Sequence, residues 1–356
     1  MNRRIGFAIA VCFFLSIGAV ALLFALSGEM RDRHNSFLRQ FPPHPVIEDD
    51  TLNIRYAGYY IAGGTASTLY LGNAKAPLHV LQIPVKKIHD TTFINLKIDS
   101  IRKQKFWFAK VQVDSPYYYL TDGVIPVIYQ GSIQTGDGVR QRNDSVFFQD
   151  IVAMSAGSFA LRSVSSRSQE NMLGTFRLSP PKVHFDDQLL TKQFDGIFCT
   201  DGMLNYDRGH HRLAYLYFYR NEFTVMDTTL RLLYRANTID TNTVAKIKPA
   251  TVESTHERML ASPANYVNKR SCISDGMLFV QSALLARNEP AEALKETSVI
   301  DVYDLADGSY RFSFYIFDFN GRKMTDFKVY GNTMAVLFGR TLQLYHLRPK
   351  IFHPSS

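Results

Sequence analysis

The chain has 356 residues, 46% of them apolar, 20% charged and 13% aromatic. That composition excludes a disordered polypeptide and a multi-span membrane protein, and 21 Gly with 14 Pro exclude collagen-like and low-complexity chains. The net charge of +8 is spread without a block of like charges, so no nucleic-acid partner is expected.

Arg3 and Arg4 precede Phe7–Leu26, twenty residues without a charge. A helix of that length rises about 30 Å, enough to cross the hydrocarbon core of a bilayer. Residues 1–27 are therefore expected to form a cytoplasmic tail and a transmembrane signal anchor. The two arginines keep the tail in the cytoplasm, which puts everything after the helix in the periplasm or another extracytoplasmic space. The membrane is then a partner through this helix. Cleavage after Ser27, at the small pair Ala25 and Ser27, is the competing reading. Cys12 follows Val11 rather than Gly or Ala, which speaks against a lipoprotein. Residues 28–50 read as a stalk stiffened by Pro42, Pro43 and Pro45.

From Asn53 to Leu347, short runs of aromatic and β-branched residues are broken by Gly, Asp, Asn and Ser, the pattern of strands and turns. Only Val252–Leu260 and Ala291–Glu296 could hold a turn or two of helix. Hairpins begin near residues 60, 106, 158, 212, 277 and 333, a mean spacing of about 55 residues. Further strand-like runs flank each one. Four strands in each of six units predict an all-β fold, a six-bladed β-propeller over residues 51–348 preceded by one transmembrane helix. Two stacked β-sandwiches would use the same strands. After Leu347 the sixth unit has no outer strand, because Pro349 and Pro354 punctuate a tail of residues 349–356. A ring needs its edges paired, so residues 44–52 are expected to supply that strand.

The stretch Asp201–Thr241, DGMLNYDRGHHRLAYLYFYRNEFTVMDTTLRLLYRANTIDT, has a Gly-led strand, a strand ending in Phe-Tyr-Arg-Asn and a strand ending in Met-Asp-Thr. It resembles a blade of the TolB-like six-bladed propeller class, and more closely blades of membrane-anchored bacterial propeller proteins without a characterised activity. The resemblance implies a periplasmic scaffold and brings no catalytic residue with it. The chain departs from TolB in its anchor and in lacking a recognisable preceding α/β domain.

The loop Tyr206–His211 and the turn Arg220-Asn221 are the expected face for a protein partner, with Asp207, Arg208, His210, His211 and Arg220 offering charge-assisted bonds. Tyr215, Tyr217 and Tyr219 alternate along the strand between them, where packing between blades is the simpler role. His210 and His211 are poor ligands for one metal ion, because adjacent strand residues point to opposite faces. Cys199-Thr-Asp-Gly-Met-Leu and Cys272-Ile-Ser-Asp-Gly-Met-Leu are near-copies, expected at corresponding positions of neighbouring blades. That separation disfavours a disulfide between Cys199 and Cys272 and favours two buried thiols.

Signatures of catalysis are missing from the sequence. No GxSxG or HExxH occurs, no Ser has a context suggesting activation, Ala156-Gly-Ser158 lacks the elbow spacing, and Gly63-Gly64 reads as a hairpin turn rather than a phosphate loop. No cofactor and no metal site are expected. An alternative reading, a calcium-dependent hydrolase or lactonase-type propeller, would gather Asp99, Asp150, Asp201, Asp275 and Asp326 around an axial channel. Turn and loop carboxylates are their simpler role. Asn143-Asp-Ser is a glycosylation sequon. The leading expectation is a membrane-anchored extracytoplasmic propeller that acts as a binding or scaffold module for protein or small-ligand partners, not an enzyme.

Overall fold

A strand such as Leu213-Ala-Tyr-Leu-Tyr is apolar at every position and must be covered on both faces. In a computed structural model, which describes residues 3–31, 35–99, 106–141, 146–252 and 257–352, all five of these side chains are fully buried. The architecture is nearly all β. Helix α1 (Arg3–Arg31) comes first, and α2 (Ala293–Glu296) and α3 (Pro349–Phe352) are single turns. Among the described residues no helix is long and apolar enough to cross a membrane.

Strand β1 (Val46–Asn53) is followed by unit one, β2–β5 (Tyr59–Gly64, Thr68–Asn73, His79–Pro84, Thr92–Asn95). The short β6 (Lys97–Ile98) precedes unit two, β7–β10 (Lys110–Asp114, Tyr117–Asp122, Val127–Ser132, Asp137–Gln141). Unit three is β11–β14 (Asp150–Ser155, Ser158–Val164, Asn171–Arg177, Lys182–Asp186), and unit four is β15–β18 (Gly202–Asp207, Arg212–Tyr217, Glu222–Asp227, Leu232–Asn237). A separate hairpin, β19–β20 (Pro249–Val252, Glu257–Leu260), comes before unit five, β21–β24 (Asn268–Ser274, Met277–Ser282, Thr297–Asp304, Tyr310–Phe317). Finally β25–β27 (Asp326–Tyr330, Thr333–Phe338, Thr341–Leu347) join β1, which runs antiparallel to β27 and pairs Val46 with Leu347 and Asn53 with Thr341.

The first strands of the units, β2, β7, β11, β15, β21 and β25, lie next to one another in that order, and β25 returns to β2. Side chains clasp the seams between them. Tyr60 Oη accepts the Val111 N–H at 2.7 Å, and Gln112 bonds the Ile151 carbonyl and, at 3.3 Å, the Ala153 N–H. Asp150 accepts the Leu204 N–H at 3.4 Å, and Asn205 donates to Ser271 Oγ at 2.8 Å. Lys328 donates to the Ser271 carbonyl at 3.4 Å, and Asp326 accepts the Ile61 N–H at 2.9 Å. Units one and two touch through one parallel pair, Gly63 with Val113. A Cβ on Gly63 would sit 2.0 Å from the Val113 carbonyl oxygen, so only glycine allows the contact.

Outside these clasps the core lies between units. Between units four and five, Ala214, Leu216 and Phe223 meet Leu278, Val280 and Tyr303. The other face of β16 turns Leu213, Tyr215 and Tyr217 to unit three. Each remaining neighbouring pair has an apolar cluster of the same kind, including the pair of units six and one.

Several expectations need correction. The hairpins at 60 and 106 are strands one and two of their units, whereas those at 158, 212, 277 and 333 begin on strand two. The phase slipped because β10, Asp-Gly-Val-Arg-Gln, is too polar to read as a strand. The candidate helix at Val252–Leu260 is partly outside the described residues, and its described ends are the strands β19 and β20. The sequon at Asn143 lies outside the described residues altogether. Residues 35–45 are not a free stalk, since Phe37 and Arg39 are buried against unit five. Nor is the start of the C-terminal tail free: Phe352 is buried against Phe279, Phe312 and Phe314.

Every first strand runs from one end of the assembly to the other. The end where these strands begin is called proximal below and the end where they finish distal.

Candidate functional site

The residues expected to contact a partner divide between the two ends. The turn 208–211 is distal and Arg220 is proximal, because β16 runs between them. Its six residues put about 20 Å between the two. Arg220 is fully buried, with its guanidinium 3.6 Å from the Tyr217 ring centre and bonded to Glu222, the Cys199 carbonyl and the Thr191 carbonyl. A side chain held in that way cannot reach a partner. Tyr215 and Tyr217 pack edge to face at 5.3 Å, and Tyr219 packs on Tyr266 at 5.2 Å.

At the distal end, buried Asp207 accepts the Gly209 N–H at 3.1 Å and holds His210 Nδ1 at 2.9 Å. His210 lies against Gly276 of unit five. Arg208 pairs at 2.5 Å with Asp114, which belongs to unit two. Units two and four are not neighbours, so this pair bridges across the end of unit three. His211 has φ 53° and bonds Tyr206 Oη at 3.1 Å. The loop thus makes contacts between units, although Arg208 and His210 keep more than half of their side chains exposed.

The near-copy cysteine motifs occupy different places. Asp201-Gly202 leads into β15, a first strand, while Asp275-Gly276 is the distal turn between β21 and β22. Asp-Gly before alternating apolar residues suits either position. Cys199 and Cys272 are free and buried, and burial pushes the Cys272 thiol up to about 12. The five aspartates do not gather at one place, although Asp150 and Asp201 both lie beside Arg162. Asp150 and Asp326 are seam clasps, and Asp201 pairs with Arg162 at 2.5 Å while burial raises its pKa. Asp99 accepts the Arg140 N–H beside an outer strand, and Asp275 sits in the distal turn with φ 50°. Among the described residues no group of three His, Cys, Asp or Glu could hold a metal ion.

Local motifs did not reveal three other features. The first is a charged cluster beneath residues 35–45. Arg39 is bonded to Asp301 through Nε at 2.7 Å and Nη2 at 3.0 Å, to the Leu284 carbonyl at 2.9 Å, and to Glu289. Tyr315 donates to Glu289 at 2.6 Å, and Ser313 donates to Asp301 at 2.5 Å. Burial alone would lower the Arg39 pKa, but Asp301 and Glu289 outweigh it and hold the guanidinium charged.

The second is a proximal cleft of about 470 Å³ in which Phe218, Tyr266, Lys269, Arg270 and Lys323 take part and whose lining contains no carboxylate. Arg270 Nε donates to the Thr325 carbonyl at 2.6 Å, and Lys323 pairs with Asp318 outside the lining at 2.7 Å. Phe218 and Tyr266 meet edge to face at 5.5 Å.

The third is a proximal loop pair of unit two. Fully buried Asp122 accepts four backbone N–H groups: Trp107 at 2.7 Å and Phe108 at 3.0 Å on one oxygen, Val124 at 3.1 Å and Ile125 at 3.2 Å on the other. The two loops so joined leave the rings of Trp107 and Phe108 each 70% exposed.

No family model matches the chain, and no curated protein matches it. Among solved structures, a member of the DUF4221 family from Bacteroides vulgatus aligns with a TM-score of 0.53 at 13% identity, covering 89% of this chain and 99% of that one. A chain of the nidogen/laminin complex aligns at a TM-score of 0.42 and 10% identity over 74% of this chain and 81% of its own. The chain is similar to the first of these in architecture, and the architecture is that of a β-propeller.

Proposed function

We propose that the chain is a six-bladed β-propeller, of the TolB-like kind in its blade pattern, that is held at the cytoplasmic membrane by α1 and binds ligands outside the cytoplasm. Support for six blades comes from the six four-strand units, the return of β25 to β2 and an apolar cluster at every seam. Support for the anchor comes from Phe7–Leu26, uncharged and helical, behind a tail with two arginines.

The observation that carries the binding reading is the proximal cleft. Its volume is that of small-molecule sites, and basic side chains stand beside aromatic ones without a carboxylate in the lining. Such a lining favours an anionic ligand with an apolar or aromatic part. Isothermal titration of the full chain in detergent with phenyl phosphate tests this. Binding that is lost in the Lys269→Glu/Arg270→Glu double variant is expected. Absence of binding at millimolar concentration, or equal binding by the variant, rules the cleft out as the site.

A further inference from the structure

Large exposed apolar side chains are distributed unevenly between the two ends. Tyr56, Trp107, Phe108, Phe147, Phe194 and Tyr266 are all exposed and all belong to proximal loops. Among the described residues the distal loops themselves expose none, although Phe93, Tyr117, Val183 and Leu232 are exposed in the strands that leave them. The patch around Trp107 is built rather than incidental, because Asp122 fastens both of its loops by four hydrogen bonds. Phe147 joins it from the start of unit three, where the Phe148 N–H donates to the Gly123 carbonyl at 3.4 Å. Free-standing aromatic side chains on a fixed scaffold mark a contact surface.

The same end carries a local group of arginines. Arg55, Arg322 and Arg340 line one opening at the seam of units six and one, with Asn53 as the remaining lining residue. All three are exposed, and among the described residues none is paired with a carboxylate.

The N-terminal segment also starts at the proximal end. Asn35 donates from its backbone and its side chain to the Leu285 carbonyl, which follows β22 at the proximal end of unit five. Helix α1 ends at Arg31, four residues earlier, so its last residue lies within about 14 Å of that point. Unit two, which displays Trp107 and Phe108, is three units from unit five in either direction around the ring. Tether and aromatic loop therefore flank the proximal face on opposite sides.

We infer that the proximal end rests on an anionic phospholipid surface, with Trp107 and Phe108 at the boundary of headgroups and acyl chains and Arg55, Arg322 and Arg340 on lipid phosphates. The inference rests on the reading of α1 as a membrane anchor. An aromatic ring pair is suited to that boundary, and guanidinium groups bind phosphate through paired N–H donors. In this orientation the basic cleft faces the headgroup layer.

Trp107 is the chain's single tryptophan and reports its own depth. The full chain is reconstituted into phosphatidylcholine vesicles with or without phosphatidylglycerol, with acyl chains brominated near their middle as quenchers. Vesicle flotation is read in parallel. The expected result is roughly halved Trp107 emission with a shift to shorter wavelength in vesicles containing phosphatidylglycerol, the depth of an interfacial ring. Quenching is expected to weaken in phosphatidylcholine alone and in the Arg55→Glu/Arg322→Glu/Arg340→Glu variant, whose exposed sites leave the melting temperature unchanged. If the chain floats with the vesicles and Trp107 stays unquenched, the face stands off the membrane and the inference fails while the anchor survives. Quenching that ignores both lipid charge and the arginines overturns the phosphate contacts. If the chain does not float, the anchor reading fails and takes this inference with it.

Discussion

The distal and proximal ends are built from the same four-strand units and do different work. A distal link joins two neighbouring antiparallel strands, so a tight hairpin is enough, and these turns use Gly157, Asp275-Gly276 and Gly331 at positive φ. They spend their polar groups on one another, as Arg208 does with Asp114 and His210 with Asp207. A proximal link includes the passage from the outermost strand of one unit to the first strand of the next. That path is long by necessity, 187–201 between units three and four and 238–267 between units four and five. Part of that length packs into the seams, as Leu189 and Leu190 do between units three and four, and the rest forms loops on a rigid frame, where binding residues gather. The difference predicts that mutations at the distal end leave binding intact and that proximal ones divide into structural and ligand-facing groups.

The largest effect is expected where residues 35–45 are tied to unit five. Arg39→Ala leaves Glu289 and Asp301 buried without their cation, a change that costs about 3–5 kcal/mol. Equilibrium denaturation checks it. A loss below about 1 kcal/mol would show that the segment is a loose stalk after all. Next comes Asp122→Ala, which strips a buried acceptor from four N–H groups and is expected to cost about 1.5–3 kcal/mol. Limited proteolysis between Phe106 and Lys110 should rise at the same time. Unchanged cleavage would mean that the aromatic loop is fixed by something other than Asp122.

A third prediction concerns the layer between the ends. Cys272 is packed between units five and six, and its thiol titrates near 12 in the folded chain against an ordinary value near 9. Below the ordinary value both states hold the proton and the thiol makes stability independent of pH. Above it the unfolded chain loses the proton first, so stability falls as pH rises from about 9 towards about 12. The Cys272→Ala variant, whatever its own cost in packing, should show a shallower decline over that range by urea unfolding. An identical slope would assign the alkaline loss to buried tyrosines such as Tyr60 and Tyr234, which burial also pushes up to about 12.

Much of the frame was legible in the sequence. Asp201–Thr241 coincides with unit four, Gly202–Asn237, because its apolar strands are sharply punctuated by turns that carry Asp-Arg-Gly and Arg-Asn. The pairing of residues 44–52 with the last unit followed from Pro349, which leaves β27 an open edge, and β1 covers it. Docking of residues 35–45 was not legible, since one buried arginine among prolines looks like a solvated linker until Glu289 and Asp301 are brought to it. Arg220 misled for a similar reason: beside Asn221 it reads as an exposed turn, yet the Tyr217 ring and two carbonyls enclose it. The cleft draws on residues near 218, 266–270, 281–298 and 323, and no local spacing announces a site assembled from four separate stretches.

The smallest effect belongs to the distal turn. Arg208 reaches Asp114 across the end of unit three, but its side chain is 59% exposed, and ion pairs in water contribute less than about 1 kcal/mol. His211 is exposed, and its bond to Tyr206 is also open to solvent. The Arg208→Ala/His211→Ala variant should therefore melt within a few degrees of the parent. It should also bind phenyl phosphate with unchanged affinity, because the cleft is at the opposite end of β16. If the variant unfolds, the pair of Arg208 with Asp114 is part of what closes the ring. If it stays folded but loses phenyl phosphate, the binding surface is distal, and the contrast between the two ends has been drawn the wrong way round.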